Sequence, residues 1–208
     1  MKLIFTRHGE SEANILKIIS NRNLPHPLTE RGRQQAHLLA DKLTSQKIVA
    51  IYTSPILRAQ QTAEILAQKL GLPVQLADAL REFDCGMVEG RGDGEAWQAH
   101  HAVVEAWNKG DYLSCIPDGE SFNDLRARFV PFVEGLVKKY AQSDGAVVLI
   151  SHGSMLHQML PLVLSNIDSV FSHQHPLGNT ACVLATPREG QLVCLEWDNI
   201  PLTNSKGG

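Results

Sequence analysis

The side chains best suited to chemistry in this sequence follow three short apolar runs. Residues 7–10 (Arg-His-Gly-Glu) follow the first run, Arg58 lies a few residues after the second, and His152 and Gly153 directly follow the third. Imidazoles transfer protons or act as nucleophiles, and guanidinium groups bind oxyanions through paired hydrogen bonds. If the three runs are neighbouring strands, two histidines and two arginines from distant parts of the chain can meet at one edge of a sheet.

Apolar runs of β-forming residues alternate with segments of helical periodicity along the chain. The predicted strands are 2–6, 49–53, 74–77, 146–151, 180–186 and 192–197, with a turn at 188–190 joining the last two. The predicted helices are 28–44, 55–70, 95–108, 120–140 and 154–164. Thr29 is the expected N-cap of the first helix and Pro55 the first residue of the second. Pro131 is expected to kink the fourth helix or to end its first half.

This alternation indicates the fold class. Strands and helices that alternate along a chain form a mostly parallel sheet, so we predict a three-layer α/β fold with a mostly parallel central sheet and helices on both faces. The 208 residues suffice for one sizeable core. We expect one domain over residues 1–202 and a frayed tail at 203–208. Such sheets bind ligands at the carboxyl ends of their strands.

The bulk composition argues against several classes of partner. The net charge is −3 and the isoelectric point is near 6.3, which does not favour binding to nucleic acid or to an anionic membrane. No apolar run is long enough to span a membrane, and the first residues do not form a signal peptide, so a cytoplasmic location is expected. The four scattered cysteines indicate reduced thiols, and the histidine pairs at 100–101 and 173–175 are expected to be solvated rather than metal-bound.

Six parts of the sequence resemble, in order, the motifs of the histidine phosphatase superfamily, also called the phosphoglycerate-mutase-like proteins. They are TRHGE at 6–10, Asn14, PLTERGRQQA at 27–36, TSPILRAQQTA at 53–63, Glu82 within LREFDCGMVEG, and SHG at 151–153. They cover residues 3 to about 160. A lone RHG triplet would be weak support, but an ordered set with each piece at the end of a predicted element is specific.

The resemblance implies a role for each matching position. His8 would attack the phosphoryl group and become phosphorylated, and Glu82 would give a proton to the leaving group. Asp84 and Glu89 lie in the same loop and are rival acids. The groups that would bind the phosphoryl oxygens are Arg7, Asn14, Arg58 and His152.

These roles are physically consistent with one another. Phosphoryl transfer requires mainly in-line positioning and charge stabilisation, which two guanidinium groups and a protonated or donor-oriented His152 can supply without a metal or cofactor. The arginine charges favour a neutral imidazole at His8, and its second ring nitrogen is expected to donate to a backbone carbonyl in the 9–12 loop. Glu82 can act as both acid and base if its pKa is raised by burial or by a dianionic substrate.

Three further positions are candidate substrate contacts. Residues 20–26 depart from the family's pattern before the PLT segment, and Arg22 in that loop could replace a family contact. Gly153 directly follows His152. Thr180, with Asn179, precedes a late strand and could offer a backbone N–H to phosphate.

The segment after Glu82 bears on the branch of the family. Its length predicts a partly helical cap at about 86–118, covering a small phosphorylated metabolite. Arg91 and Lys109 are its only basic residues, without the paired arginines expected of a cofactor-dependent phosphoglycerate mutase. A phosphomonoesterase is therefore favoured, with the mutase as the alternative. A catalytically inactive phosphate-binding protein ranks third, because every key residue is present. The sequence leaves a homodimer open.

Overall fold

The computed structural model describes residues 1–22 and 24–202, and the predicted tail at 203–208 lies outside the described residues. The strands are β1 (Lys2–Arg7), β2 (Ile48–Thr53), β3 (Val74–Leu76), β4 (Ala146–Ser151), β5 (Cys182–Arg188), β6 (Gln191–Trp197) and β7 (Ile200–Pro201). The helices are α1 (Glu12–Leu16), α2 (Glu30–Leu43), α3 (Leu57–Leu70), α4 (Gly94–Asn108), α5 (Phe122–Lys139), α6 (Gly153–Val163) and α7 (Ser169–Gln174). Short 3₁₀ helices lie at Asp78–Leu80 and Gly86–Val88.

The strands of the described residues form one sheet in the order β3-β2-β4-β1-β5-β6-β7. The first four of these strands run parallel to one another, and β5, β6 and β7 extend the sheet in antiparallel fashion. The predicted α/β class with a mostly parallel core is confirmed. Short turns join β5 to β6 and β6 to β7, and a short turn joins only antiparallel neighbours.

Helices cover both faces of the sheet. Successive side chains of a strand point to opposite faces, and in β1 Leu3 and Phe5 belong to one hydrophobic cluster while Ile4 belongs to the other. The first cluster includes the buried side chains of α5 and α6, and the second includes those of α2 and α3. The central strands are therefore buried on both sides, which explains why they read as continuous apolar runs.

The carboxyl ends of three adjacent strands meet at one edge of this sheet. Strand β4 lies between β1 and β2, with Arg7 opposite Ser151 and Thr53 opposite Ile150. The residues that follow each strand therefore leave the sheet side by side. This register brings the loop after β1, the start of α3 and the start of α6 together.

Two helix predictions differ from the structure in detail. The second helix begins at Leu57 rather than at Pro55, with Ile56 as its N-cap, because the Ser54 side chain accepts the Ile56 N–H and holds a turn there. Helix α5 continues through Pro131 instead of ending its first half at that residue. Phe129 before Pro131 and Val133 after it are both buried, and they pack the two halves of the helix against the core.

Several short elements were not evident from periodicity. Helices α1 and α7 have five and six residues and strand β7 has two, which is too short for a repeating pattern to be seen. Strand β5 begins at Cys182 rather than at Thr180, because Thr180 has a positive φ of 59° that a strand cannot contain.

Helix α4 lies within the segment that joins β3 to α5. The Asp93 side chain caps it by accepting the Ala96 N–H at 3.1 Å. The predicted helix at 95–108 is confirmed with one additional residue at its start. No helix within residues 1–22 and 24–202 combines the length and apolar character required to cross a membrane.

Candidate active site

His8 lies immediately beyond β1 and is 2% exposed. Its Nδ1–H donates to the Gly9 carbonyl oxygen at 2.6 Å, and its Nε2 accepts from Arg58 Nε at 2.8 Å. These two partners assign the proton to Nδ1 and leave the lone pair on Nε2. Burial, followed by the charges of Arg58 and Arg7, holds the pKa of His8 well below its usual value. The imidazole is therefore neutral, and the predicted bond from its second nitrogen to the 9–12 loop is confirmed.

Arg58 lies in the first turn of α3 and is 5% exposed. Besides His8, it donates to His152 Nδ1 at 3.1 Å, to the Ser20 carbonyl oxygen, and to Asn21 Oδ1 at 3.4 Å. Burial lowers the pKa of Arg58 to about 10, so the guanidinium stays charged at neutral pH. One cation thus joins the loop after β1, the start of α6 and the 20–21 loop.

His152 caps the start of α6 and is 1% exposed. Its Nε2–H donates to Ser54 Oγ at 2.8 Å, and the rings of His8 and His152 lie 5.1 Å apart. Burial and the Arg58 charge hold the pKa of His152 well below its usual value. The imidazole is therefore neutral, and both of its nitrogens are engaged by protein groups. The expectation of a protonated His152, or of one with a free donor, does not match this arrangement.

Arg7 ends β1 and projects toward α6. Its Nη1 donates to the Leu177 carbonyl oxygen at 3.0 Å, while its buried Nε has no hydrogen-bond partner among the described residues. A Cβ at Gly153 would lie 3.4 Å from that Nε, so the glycine leaves space beside the guanidinium. A buried donor without a partner costs free energy, and at a functional site it is suited to an incoming acceptor.

Glu82 is 7% exposed and lies in the loop between the 3₁₀ helices Asp78–Leu80 and Gly86–Val88. Its carboxylate accepts the Phe83 N–H at 3.1 Å and the Ser154 N–H at 3.0 Å. Burial raises the pKa of Glu82, although these hydrogen bonds and the Arg58 charge oppose the rise. A carboxyl group with a raised pKa can serve as a proton donor.

The two rival acids are engaged elsewhere. Asp84 binds Arg22 at 2.9 Å, and Glu89 accepts the backbone N–H groups of Asn21 and Cys85 at 2.8 and 3.0 Å. Neither carboxylate lines the cavity described next, whereas Glu82 does.

A cavity of about 600 Å³ opens at this edge of the sheet. The residues from the predicted site that line it are Arg7, His8, Asn14, Arg58, Glu82 and Gly153. Asn14 presents Oδ1 to Ser11, accepting its N–H at 3.1 Å. His152 lies behind Arg58 and does not line the cavity.

Two predicted contacts lie apart from this cavity. Arg22 points away toward the carboxylate of Asp84 and the carbonyl of Asp118. The Thr180 N–H donates to the Arg7 carbonyl oxygen at 3.0 Å, so it has no donor left for a phosphate, and its side chain does not line the cavity. Neither Arg22 nor Thr180 lines the cavity with the other candidates.

Some residues of this candidate site escaped prediction. Ser20 and Asn21, not Arg22, are the residues of the unusual 20–26 loop that contact Arg58. Ser54, which holds His152, directly follows β2, and this position could have been noticed as a strand end. His100 was expected to be solvated, but its Nδ1 is buried and its ring lines the cavity. The apolar and polar positions of α4 alternate too irregularly to show which face meets a ligand.

The sequence comparison assigns the family. The histidine phosphatase superfamily (branch 1) matches residues 3–200, and the chain therefore belongs to that superfamily. A candidate phosphoserine phosphatase 2 of Hydrogenobacter thermophilus is 31% identical over 162 residues, which cover 78% of each chain. A probable phosphoglycerate mutase, GpmB, of Yersinia enterocolitica is 34% identical over 168 residues, which cover 79% of this chain and 75% of that protein.

Solved structures share the same fold. A mycobacterial glucosyl-3-phosphoglycerate phosphatase in complex with VO3 matches with a TM-score of 0.80 and 26% identity, covering 95% of this chain and 98% of that chain. The alpha-ribazole phosphatase of Shigella flexneri matches with a TM-score of 0.78 and 24% identity, covering 99% and 100% of the two chains, and shows the fold alone. The mixed sheet with a parallel core is therefore the histidine phosphatase fold.

Proposed function

We propose that this protein is a phosphomonoesterase that hydrolyses a small phosphorylated metabolite through a phosphohistidine at His8. One observation carries the proposal. A buried, neutral imidazole directs its Nε2 lone pair toward Arg58, and His8, Arg58 and Arg7 line the same cavity. A nucleophile beside two cations is the arrangement that phosphoryl transfer requires.

The first step transfers the phosphoryl group to the enzyme. When a phosphate enters, the Arg58 N–H that now bonds to His8 Nε2 shifts to a phosphoryl oxygen and frees the lone pair. His8 Nε2 then forms the N–P bond as the ester P–O bond breaks, and protonated Glu82 gives its proton to the departing alkoxide. The Gly9 carbonyl accepts from Nδ1–H and stabilises the positive charge that develops on the ring.

The second step regenerates the enzyme. A water attacks the phosphorus of phosphohistidine, the Glu82 carboxylate takes a proton from that water, and the N–P bond breaks to release orthophosphate. In this proposal, Arg7 and Arg58 stabilise the phosphoryl oxygens in both steps and His152 positions the Arg58 guanidinium. Asn14 and Gly153 border the same end of the cavity, and we propose that residues 86–118 form its cap.

We further propose that the reaction needs no metal. Two guanidinium groups supply the positive charge, and within the described chain no group of three or more His, Cys, Asp or Glu side chains is arranged to hold a metal ion. The cytoplasmic location stays a prediction, and a homodimer stays open.

The second candidate function is a phosphoglycerate mutase. The likeness to GpmB of Yersinia enterocolitica favours it. It is the weaker candidate, because a mutase must bind a second anionic group, and Arg7 and Arg58 are the only Lys or Arg side chains among the described residues that line the cavity. Formation of 2-phosphoglycerate from 3-phosphoglycerate and a bisphosphate primer would favour the mutase.

The proposal is tested by hydrolysis of p-nitrophenyl phosphate in the presence of EDTA. We expect activity in EDTA, and a loss of kcat of at least about 10³-fold in His8→Ala. The matched control is His37→Ala, which removes an exposed histidine of α2 and should leave kcat unchanged. Rapid quenching should trap an acid-labile, alkali-stable phosphoryl group on His8. A phosphoryl group on Ser11, or full activity of His8→Ala, would overturn the assignment.

A further inference from the structure

The cavity extends well beyond its phosphoryl end. Its volume of about 600 Å³ lies in the range of sites that enclose a whole small molecule. One side of this outer part is formed by Trp97, His100 and His101 of α4, here called the ring wall. His157 of α6 and His173 of α7 also line the cavity. The leaving group of a bound phosphate ester would lie among these side chains.

The ring wall is held in place by aromatic packing. The His100 ring lies 5.0 Å from that of Phe83 and 5.1 Å from that of Trp97, and the rings of Trp97 and His101 are 5.8 Å apart. Trp97 Nε1–H donates to the Lys17 carbonyl oxygen at 2.7 Å and fixes the indole. A preorganised aromatic surface binds flat or saturated rings without an ordering cost.

Two imidazoles of the outer part, those of His100 and His157, are hydrogen-bonding groups rather than cations. His157 Nε2 accepts the Leu177 N–H at 3.2 Å, and protonation would break that bond. His100 Nδ1 is buried with no hydrogen-bond partner in the described part of the chain. Burial lowers the pKa of each of these two histidines to about 4. Neutral imidazoles donate to and accept from hydroxyl groups.

The charges of the outer part disfavour a second anion. The acidic side chain there is Glu105, which is 66% exposed and pairs with Lys109 at 2.6 Å. Lys17 lines an adjoining shallow depression across Trp97 and not the cavity itself. Among the described lining residues, no Lys or Arg faces the outer part, so a carboxylate or second phosphate there would lack a permanent cation.

We infer that the outer part of the cavity selects phosphate monoesters whose leaving group is an uncharged, hydroxylated ring, such as a sugar or a nucleoside. The ring stacks on Trp97, and its hydroxyl groups bond to His100 and His157. This inference rests on the proposed phosphatase function and narrows its substrate class.

The first test compares substrates matched in size. Glycerol 3-phosphate and 3-phosphoglycerate differ in whether the far end is a hydroxymethyl group or a carboxylate. We expect kcat/KM at pH 7.5 to be at least about tenfold higher for glycerol 3-phosphate, and higher still for glucose 6-phosphate or adenosine 5′-monophosphate. Comparing kcat/KM for glucose 6-phosphate and adenosine 5′-monophosphate shows whether the site prefers a sugar ring or a nucleoside.

The second test uses variants of the outer part. Trp97→Ala should lower kcat/KM about tenfold for the ring substrates and leave glycerol 3-phosphate nearly unchanged. Trp97→Phe, which keeps an aromatic ring but loses the bond to Lys17, should restore most of the loss. Glu105→Arg should raise kcat/KM for 3-phosphoglycerate about fivefold. The matched control is Glu95→Arg, on the same helix but 90% exposed and outside the cavity, and it should have no effect.

The outcomes separate this inference from the proposed function. Hydrolysis of p-nitrophenyl phosphate that depends on His8, together with a preference for 3-phosphoglycerate, would overturn the inference and leave the phosphatase intact. Loss of that preference in Lys17→Gln would then identify Lys17 as the cation for the carboxylate. Absence of His8-dependent hydrolysis with every substrate would overturn both.

Discussion

Arg58 is the residue on which the site depends most. Its guanidinium contacts His8, His152 and the 20–21 loop at once, and it remains charged although it is 5% exposed. A buried guanidinium is tolerated because each of its nitrogens has an acceptor. It bonds to the lone pair of the proposed nucleophile, so in the proposed mechanism the same group that protects His8 from protonation shifts to the substrate when phosphate binds.

Glu82 allows a prediction that depends on the leaving group. Since burial raises its pKa, it can hold the proton that an alkoxide needs, whereas p-nitrophenolate leaves without one. Glu82→Gln should therefore lower kcat/KM for an alkyl phosphate about 10²–10³-fold and have a much smaller effect with p-nitrophenyl phosphate. Because kcat/KM reports on the first step, the ratio of the two values is the measurement.

The pH dependence of kcat/KM in the same variant tests whether Glu82 acts in its protonated form. Activity that requires protonated Glu82 must fall as the pH rises through the pKa of Glu82, and this alkaline decrease should disappear in Glu82→Gln. Glu89, one of the two rival acids, provides the comparison variant. If Glu89→Gln shows the dependence on leaving group and Glu82→Gln does not, the assignment of the proton donor is wrong.

At the scale of elements, the N-terminus of α2 holds the loop that carries His8. Thr29 caps this helix by accepting the Gly32 N–H at 3.0 Å, which confirms the predicted cap, and its own N–H donates to the Glu10 carbonyl oxygen. A Cβ at Gly32 would lie 1.9 Å from that carbonyl oxygen, and one at Gly9 would lie 2.5 Å from the Gly32 oxygen. The two backbones touch, which only glycine permits.

Two glycines within helices should respond to alanine in opposite ways, because Gly32 makes this backbone contact and Gly135 does not. Gly32→Ala must displace the 8–10 loop, so we expect a loss of about 2 kcal/mol or more in the free energy of unfolding and at least about a tenfold loss in kcat. Gly135→Ala in α5 meets open space and should stabilise the protein by about 0.5–1 kcal/mol. Urea unfolding and the p-nitrophenyl phosphate assay measure both. Equal kcat values for the two variants would refute the role given to α2.

At the scale of the whole molecule, the fold depends on keeping several histidines neutral. Burial lowers the pKa of His8, His100, His152 and His157. Between the folded and unfolded pKa values, the unfolded chain binds more protons than the folded chain, so the free energy of unfolding falls as the pH falls below about 6.5. The raised pKa of Glu82 makes the free energy of unfolding rise as the pH falls. This single carboxyl group offsets only part of the effect of the four histidines.

Acid should therefore destabilise the protein in a measurable way. For His100, a shift of pKa from 6.5 to about 4 corresponds to a loss of about 2 kcal/mol in the free energy of unfolding between pH 7 and pH 5. His100→Phe keeps the aromatic packing and should reduce the pH dependence by that amount. His37→Phe, at an exposed position, is the control. Urea unfolding at both pH values gives the comparison, and an unchanged pH dependence in His100→Phe would contradict the prediction.

Local pattern determined much of the fold. The strand Ala146–Ser151 agrees with its prediction residue for residue, and the helix capped by Thr29 agrees to within two residues at its start. Both are long or strongly patterned, and their ends carry specific signals. The five-residue α1 and the start of β5 escaped prediction because turn geometry, and not periodicity, sets their bounds.

The sequence by itself determined which reactive groups the protein has and that they follow strands β1, β2 and β4, because burial pattern and strand ends are local properties. Only the tertiary structure decided their partners. It placed His152 behind Arg58, put Ser20 and Asn21 rather than Arg22 against that guanidinium, and brought the ring wall of α4 to the cavity. These contacts join segments that are about 40 to 100 residues apart. They depend on loop paths and packing that leave no periodic trace in the chain.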